Sequence, residues 1–179
     1  VEIVPNINRI AAAIRQNGGA VVWIQNAATA ETLESWSIRV EMDGPERTAA
    51  RVQSMSPGSK GYALWAGLDT KSEDIFVQKT RFSAFIQGSS NLEALLRARR
   101  IETVVVTGTV TNICCESTAR DAMMRNFRTI MVTDANAAMN DEMHNASLAA
   151  FYVRFGDIMP ADRLVEILNA GAGIRSAAQ

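Results

Sequence analysis

Both cysteines of the chain stand side by side, at Cys114 and Cys115, within the stretch TVVVTGTVTNICCESTARDA from Thr103 to Ala122. An apolar strand pattern there runs through a glycine-containing turn into a helical pattern. Cys114 therefore falls in the first turn of an expected helix. N–H groups at such a turn lack intrahelical partners and carry a partial positive charge. That setting lowers a thiol pKa and raises its nucleophilicity. The same N–H groups can hold an oxyanion, so one turn can supply a nucleophile and stabilise a tetrahedral intermediate. The competing reading is a small core cysteine among apolar neighbours, and Cys115, pointing elsewhere on the helix, is read that way. Lys79, closing the pattern DIFVQK, could bring a cation to a Cys114 thiolate; a solvated strand-end lysine is the plainer reading.

These residues need elements to position them. Ile3, Ile7, Ile10 and Ile14 recur at helical spacing and Gly18-Gly19 stops them, which predicts a helix over Ile3–Asn17. AVVWIQ (Ala20–Gln25) reads as a buried strand. From Asn26 to about Ser72 the pattern is polar and poorly periodic, with the turn signals MDGPERT and MSPGSKG, and no clear element is expected. So long a stretch is more often functional or partner-binding than inert. Strands are then predicted at Asp74–Lys79, Thr103–Gly108 (both faces buried), Thr129–Asp134 and within GDIMP. Helices are predicted at Ser89–Arg100, capped by Ser or Asn, at Ile113–Asn126, at Asp141–Phe155 and over ADRLVEILNA. The alternation argues α/β: a mainly parallel sheet with helices on both faces and ligands at the carboxyl ends of the strands. Lys79, the GTVTN turn and Asp134 all fall at such ends.

Composition bounds the rest. The chain has 179 residues, 47% hydrophobic and 21% charged, with a net charge of −1. That fits one globular domain over 1–179, with residues 170–179 as a loose tail. No basic excess points to nucleic acid, and no apolar run is long enough for a membrane span. The first residues do not read as a signal peptide. Adjacent cysteines do not readily pair, so the thiols are expected to be reduced and the protein cytoplasmic. With one histidine, His144, and no CxxC spacing, a zinc site is not expected.

Three motifs in order, KTRFSAF (Lys79–Phe85), VVVTGTVTNICCESTARDA and TIMVTDANAA (Thr129–Ala138), resemble the isochorismatase-like cysteine hydrolase superfamily over roughly Val1 to Leu168. The KTRFS and TNICCEST wording is most similar to the ureidoacrylate amidohydrolase and biuret hydrolase branch. The resemblance implies a three-layer α/β/α fold and a Cys-Asp-Lys triad with Cys114 as nucleophile and Lys79 as the triad lysine. It implies a cis peptide at Thr109–Val110 and an oxyanion hole from the N–H groups of Val110 and Cys114. The implied reaction cleaves a C–N bond of a small linear amide or ureido/carbamoyl compound through a thioester, with no cofactor and no catalytic metal. His144 is expected on a helix surface, three residues after Asp141. Gln25 and Asn112 are candidates for a substrate carbonyl or amine. Arg81 is a candidate for a carboxylate, and Phe82 for a pocket wall. Phe85 is read as core. A homo-oligomer is implied, with Asn26–Ser72 as a candidate contact region.

The resemblance also implies an aspartate at the end of a first strand, in a segment like hydrophobic-Asp-x-Gln ahead of the Ile3–Asn17 helix, acting first as acid and then as base. No such segment stands before the helix, and the expectation is that it lies upstream of Val1. Asp134, the one acid at a predicted strand end near the site, is expected to be structural. Without the aspartate, the alternative is a catalytically silent scaffold or binding protein. A thiol redox role for Cys114 would need a resolving thiol, for which Cys115 is poorly placed. GTVTN matches neither a dinucleotide fingerprint nor a P-loop.

Overall fold

In the computed structural model, which describes residues 2–171, the elements alternate much as the pattern predicts. Helix α1 (Val4–Gln16) leads to β1 (Val22–Asn26). After a long excursion come β2 (Ile75–Lys79), α4 (Leu92–Ala98), β3 (Thr103–Thr109) and α5 (Glu116–Met124). The chain continues with β4 (Arg128–Ala137), α6 (Asp141–Arg154), β5 (Asp157–Met159) and α7 (Ala161–Asn169). Of the tail expected over residues 170–179, residues 172–179 lie outside the described residues. No helix among the described residues is long and apolar enough to cross a membrane.

All strand pairs are parallel. β1 pairs with β2 from Val22↔Ile75 to Asn26↔Lys79, and β3, β4 and β5 form a second sheet in that order. The period-two alternation of β4 makes three layers. Ile130 and Val132 pack with Ile10 of α1 and Leu164 of α7 on one face. Met131 points the other way, onto Ala119 of α5 and Leu148 and Phe151 of α6. Val77, Phe85, Leu92, Leu96 and Phe127 form a further core under β2, so Phe85 is core as expected.

The sheet is split. Among the described residues β1 pairs only with β2, and β3 pairs with β4 but not with β1. Both β1 and β3 line one cavity of about 560 Å³. Ile7, Ile10 and Ile14 of α1 wall it on one side, and Phe85, Leu92 and Leu96 on the other. This corrects the expectation that β3 is buried on both faces: with one edge unpaired, six of its seven residues are only half-buried.

The larger correction is Asn26–Ser72, which is helical in good part. Helix α2 (Ala30–Glu34) starts in a reciprocal cap, Thr29 Oγ1 accepting from the Thr32 amide while the Thr29 amide donates to Thr32 Oγ1. Helix α3 (Ser37–Met55) is two helices joined at Gly44, whose φ of 70° and ψ of 174° break the helix before Pro45. A side chain would be strained there. None of the α3 side chains is buried, so no apolar stripe marked the helix in the sequence.

One buried ion pair ties α1 to the β1–β2 sheet. The Asp74 carboxylate accepts from Arg15 Nε at 2.8 Å and Nη2 at 2.6 Å, from Trp23 Nε1 at 2.6 Å and from the Lys71 amide at 2.9 Å. The Arg15 hydrogen bonds hold the carboxyl at about 2, below its ordinary 3.8. A depressed carboxyl stabilises the fold fully above its unfolded pKa and loses that contribution as pH falls through the folded one. The unfolding free energy from urea titration should therefore drop between about pH 4.5 and 2, by roughly 1–2 kcal/mol from this group. In Asp74→Asn that part of the pH dependence should vanish; an unchanged slope would show that another group governs it.

Candidate active site

The site is built where β1, β2 and β3 end. Lys79 closes β2, and its aliphatic stem enters the core so that only 6% of the residue is exposed. Its Nζ donates to the Arg81 carbonyl at 2.7 Å and to Asn26 Oδ1 at 3.3 Å, and lies 3.6 Å from Cys114 Sγ. Burial pushes the Lys79 pKa down, and the neighbouring Cys114 sulfur pushes it back up. None of these partners is a carboxylate.

The strand end that presents Cys114 is irregular for a physical reason. Gly108 takes φ 121°, a conformation that side-chain-bearing residues avoid, and the Thr109–Val110 peptide bond is cis. The expected helix at Ile113 begins earlier, as a π-helical turn over Thr111–Cys115 that passes directly into α5. The Cys115 amide donates to the Val110 carbonyl at 3.2 Å, spanning five residues. This wider turn buries Thr111 and Cys115 and leaves Cys114 half-exposed to the cavity. Burial first, and then the Cys114 sulfur, push the Cys115 thiol up to about 12, with Lys79 opposing. Cys115 thus stays protonated and serves as packing.

His144 is not the surface residue its spacing suggested. It is half-buried, with Nδ1 2.8 Å from the Thr111 hydroxyl and Nε2 3.0 Å from the Thr133 carbonyl. A carbonyl only accepts, which assigns the proton to Nε2 and makes Nδ1 the acceptor for Thr111. Sequence reasoning missed this pair because the contact crosses 33 residues. His144→Ala strands the hydroxyl of fully buried Thr111, and should cost about 1–3 kcal/mol in urea unfolding. The same substitution in a Thr111→Val background should cost less. Equal costs would mean that the bond contributes nothing.

The other expected site residues divide. Gln25 shares the cavity with Asn26, Lys79 and Cys114, its side-chain amide donating to the Tyr62 carbonyl at 3.2 Å. Arg81 is already engaged: it donates to the Ser35 carbonyl and Oγ, both at 2.9 Å, and to the Thr80 carbonyl at 3.1 Å, while stacking 4.8 Å over Trp36. Phe82 meets Trp36 edge-on at 5.2 Å. Arg81 and Phe82 thus fasten the α2–α3 region to the turn after β2, and neither lines the cavity. Asn112 has a buried Oδ1 with no partner. Asp134 is structural: Oδ1 accepts from the Ala161 amide at 2.7 Å, seating the start of α7, and its carbonyl accepts from Asn6 at 2.9 Å.

A parallel-stranded α/β fold with a cysteine at a strand-to-helix turn and a buried lysine beside it describes a known class. Residues 1–163 match the isochorismatase domain, and the chain belongs to that family. It is similar to a ureidoacrylate amidohydrolase, RutB, of Methylobacterium radiotolerans, at 34% identity over 86% of this chain. The chain spans 62% of that relative's length. Among solved structures, an isochorismatase family protein from Desulfovibrio vulgaris superposes with a TM-score of 0.77 at 26% identity, over 93% of this chain and 84% of its own. N-carbamoylsarcosine amidase from Thermoplasma acidophilum superposes with a TM-score of 0.71 at 26% identity, over 90% and 83%. The branch resemblance read in KTRFS and TNICCEST agrees with the first of these.

Proposed function

We propose that this protein is a cysteine-dependent amidohydrolase acting on a small linear amide or ureido/carbamoyl compound. The observation that carries the reading is the buried Lys79 ammonium 3.6 Å from Cys114 Sγ, at one end of a cavity. Two named relatives, a ureidoacrylate amidohydrolase and an N-carbamoylsarcosine amidase, point to the same bond type. In this reading Lys79 holds the thiolate, which attacks the carbonyl carbon. The N–H groups of Val110 and Cys114 take the oxyanion. The tetrahedral adduct collapses, the C–N bond breaks, and ammonia or an amine leaves with a proton from the general acid. Water, deprotonated by the same group, then hydrolyses the thioester and frees the thiolate, with the general acid reprotonated.

The general acid is the aspartate that the resemblance places at the end of a first strand. A parallel strand between β1 and β3 would finish beside Asn26, Thr109, Lys79 and Cys114, since all four line the same cavity. The test is ammonia release from a panel: ureidoacrylate, biuret, N-carbamoyl amino acids, maleamate and nicotinamide. Release from a ureido or carbamoyl compound supports the proposal. Silence across the panel with an intact fold, even when the strand is supplied, would favour the silent scaffold.

A further inference from the structure

The turn that presents Cys114 is held in shape from outside. Its first bonds converge on one acceptor, the Val110 carbonyl, which takes the amides of Ile113 at 3.1 Å and Cys115 at 3.2 Å. A π-helical turn is rare, and wider than the α-helix into which this one runs. Closing it by the ordinary four-residue bond would rotate Cys114 relative to α5 and carry its sulfur away from Lys79. Among the described residues, two side chains of Thr111–Cys115 make hydrogen bonds. One is Cys114 itself, to Lys79. The other is fully buried Thr111, whose hydroxyl donates to His144 Nδ1 at 2.8 Å.

Helix α6 is well placed to anchor that bond. His144 Nε2 donates to the Thr133 carbonyl at 3.0 Å, which ties the ring to β4. One turn further along α6, the buried Ser147 hydroxyl donates to Glu116 Oε2 at 2.6 Å, while Arg120 Nε donates to Glu116 Oε1 at 2.8 Å. The helix thus grips the nucleophile's segment on both sides: at Thr111, three residues before Cys114, and at Glu116, two residues after it. Thr111 also follows directly on Val110, whose N–H takes the oxyanion in the proposed reaction. A side chain that fixes Thr111 therefore fixes the spacing between that N–H and the sulfur. Neither Thr111 nor His144 lines the cavity, so the pair acts on the rate of the chemical step and not on substrate binding.

We infer, resting on the reading of Cys114 as the nucleophile, that His144 is a positioning residue: through the Thr111 hydroxyl it holds the turn in the form that sets Cys114 Sγ beside Lys79 and the Val110 N–H at the carbonyl oxygen.

Four variants test it by two readouts, with melting temperature measured beside them. The readouts are ammonia release from the amide panel and the rate of Cys114 alkylation by iodoacetamide at about pH 7.5, followed by mass spectrometry. Thr111→Val keeps the side chain's shape and deletes the donor. It should lower kcat about 10–100-fold with KM within about threefold, and slow alkylation about tenfold. Thr111→Ser keeps the hydroxyl and should stay within about threefold of wild type in both rates. His144→Asn sets Oδ1 near the place of Nδ1, so it keeps the acceptor for Thr111 while losing the bond to Thr133. It should retain most of the rate. His144→Gln reaches the Thr133 carbonyl but leaves Thr111 without its acceptor, and should behave as Thr111→Val does. Wild-type rates in Thr111→Val, a loss carried wholly by KM, or rates that follow melting temperature rather than the Thr111 bond would each overturn the inference. Alkylation needs no substrate, so it decides the pair even where the wild type releases no ammonia, a result that counts against the amidohydrolase reading alone.

Discussion

Cys114→Ala is expected to abolish amide hydrolysis, by about three orders of magnitude or more in kcat/KM, with folding unchanged. The size of the effect follows from what the side chain does. Removing Sγ removes the bond-forming atom, so no acyl-enzyme can form and only bound, uncatalysed water remains. The fold should tolerate the change because Cys114 is half-exposed and its neighbour Cys115 supplies the packing. Cys114→Ser should lose nearly as much, since a hydroxyl is a far weaker nucleophile near neutral pH and Lys79 would have to stabilise an alkoxide. Lys79→Met keeps the stem's volume but deletes the cation 3.6 Å from the sulfur, and should cut the rate strongly without raising KM in proportion. The readout is ammonia release in steady state. Activity surviving Cys114→Ala would sink the mechanism, and Cys115 could not be invoked to rescue it, being buried and held protonated.

Much of this site was legible before any coordinates. Apolar runs such as TVVVTG and TIMVTD specify strands because their side chains must be buried, and the turn chemistry at Gly108 follows from a conformation only glycine adopts freely. Position plus residue type put Lys79 and Cys114 each at a strand end, and the family resemblance paired them. What escaped was of another kind. Helix α3 buries none of its side chains, so its helicity comes from local bonding and leaves no hydrophobic period to read. The engagement of Arg81 by Ser35 crosses 46 residues, and the hold of His144 on Thr111 crosses 33. Spacing along the chain carries no information about such contacts. The π-helical start of the Cys114 turn was likewise hidden, since one extra residue in a turn does not alter the apolar pattern around it.

Supplying a strand to the gap between β1 and β3 is expected to raise both stability and activity. The gap has the attributes of a strand site. β1 and β3 each leave one hydrogen-bonding edge unpaired in the β1–β2 and β3–β4–β5 sheets. Unpaired edges over an apolar cavity leave backbone groups without the partners that a central strand would give them. α1 and α4 wall the space above and below, as helices wall an inner strand in a parallel sheet. A chain extended ahead of α1 by an apolar segment ending in hydrophobic-Asp-x-Gln should fill it, pairing with both edges. Burying about five apolar side chains, less the entropy of ordering them, leaves a net gain on the order of 3–5 kcal/mol. For a domain of this size that is a rise in melting temperature of roughly 10 °C or more. The aspartate would end beside Lys79 and Cys114, giving the buried ammonium its missing carboxylate and the reaction its acid and base. Replacing that aspartate by alanine separates the two effects. The stabilisation should largely persist, because it comes from the strand, while ammonia release should fall to background. An extension that leaves the melting temperature unmoved would show that the gap does not accept a strand. One that stabilises the fold and leaves it inactive across the amide panel would make this chain a scaffold.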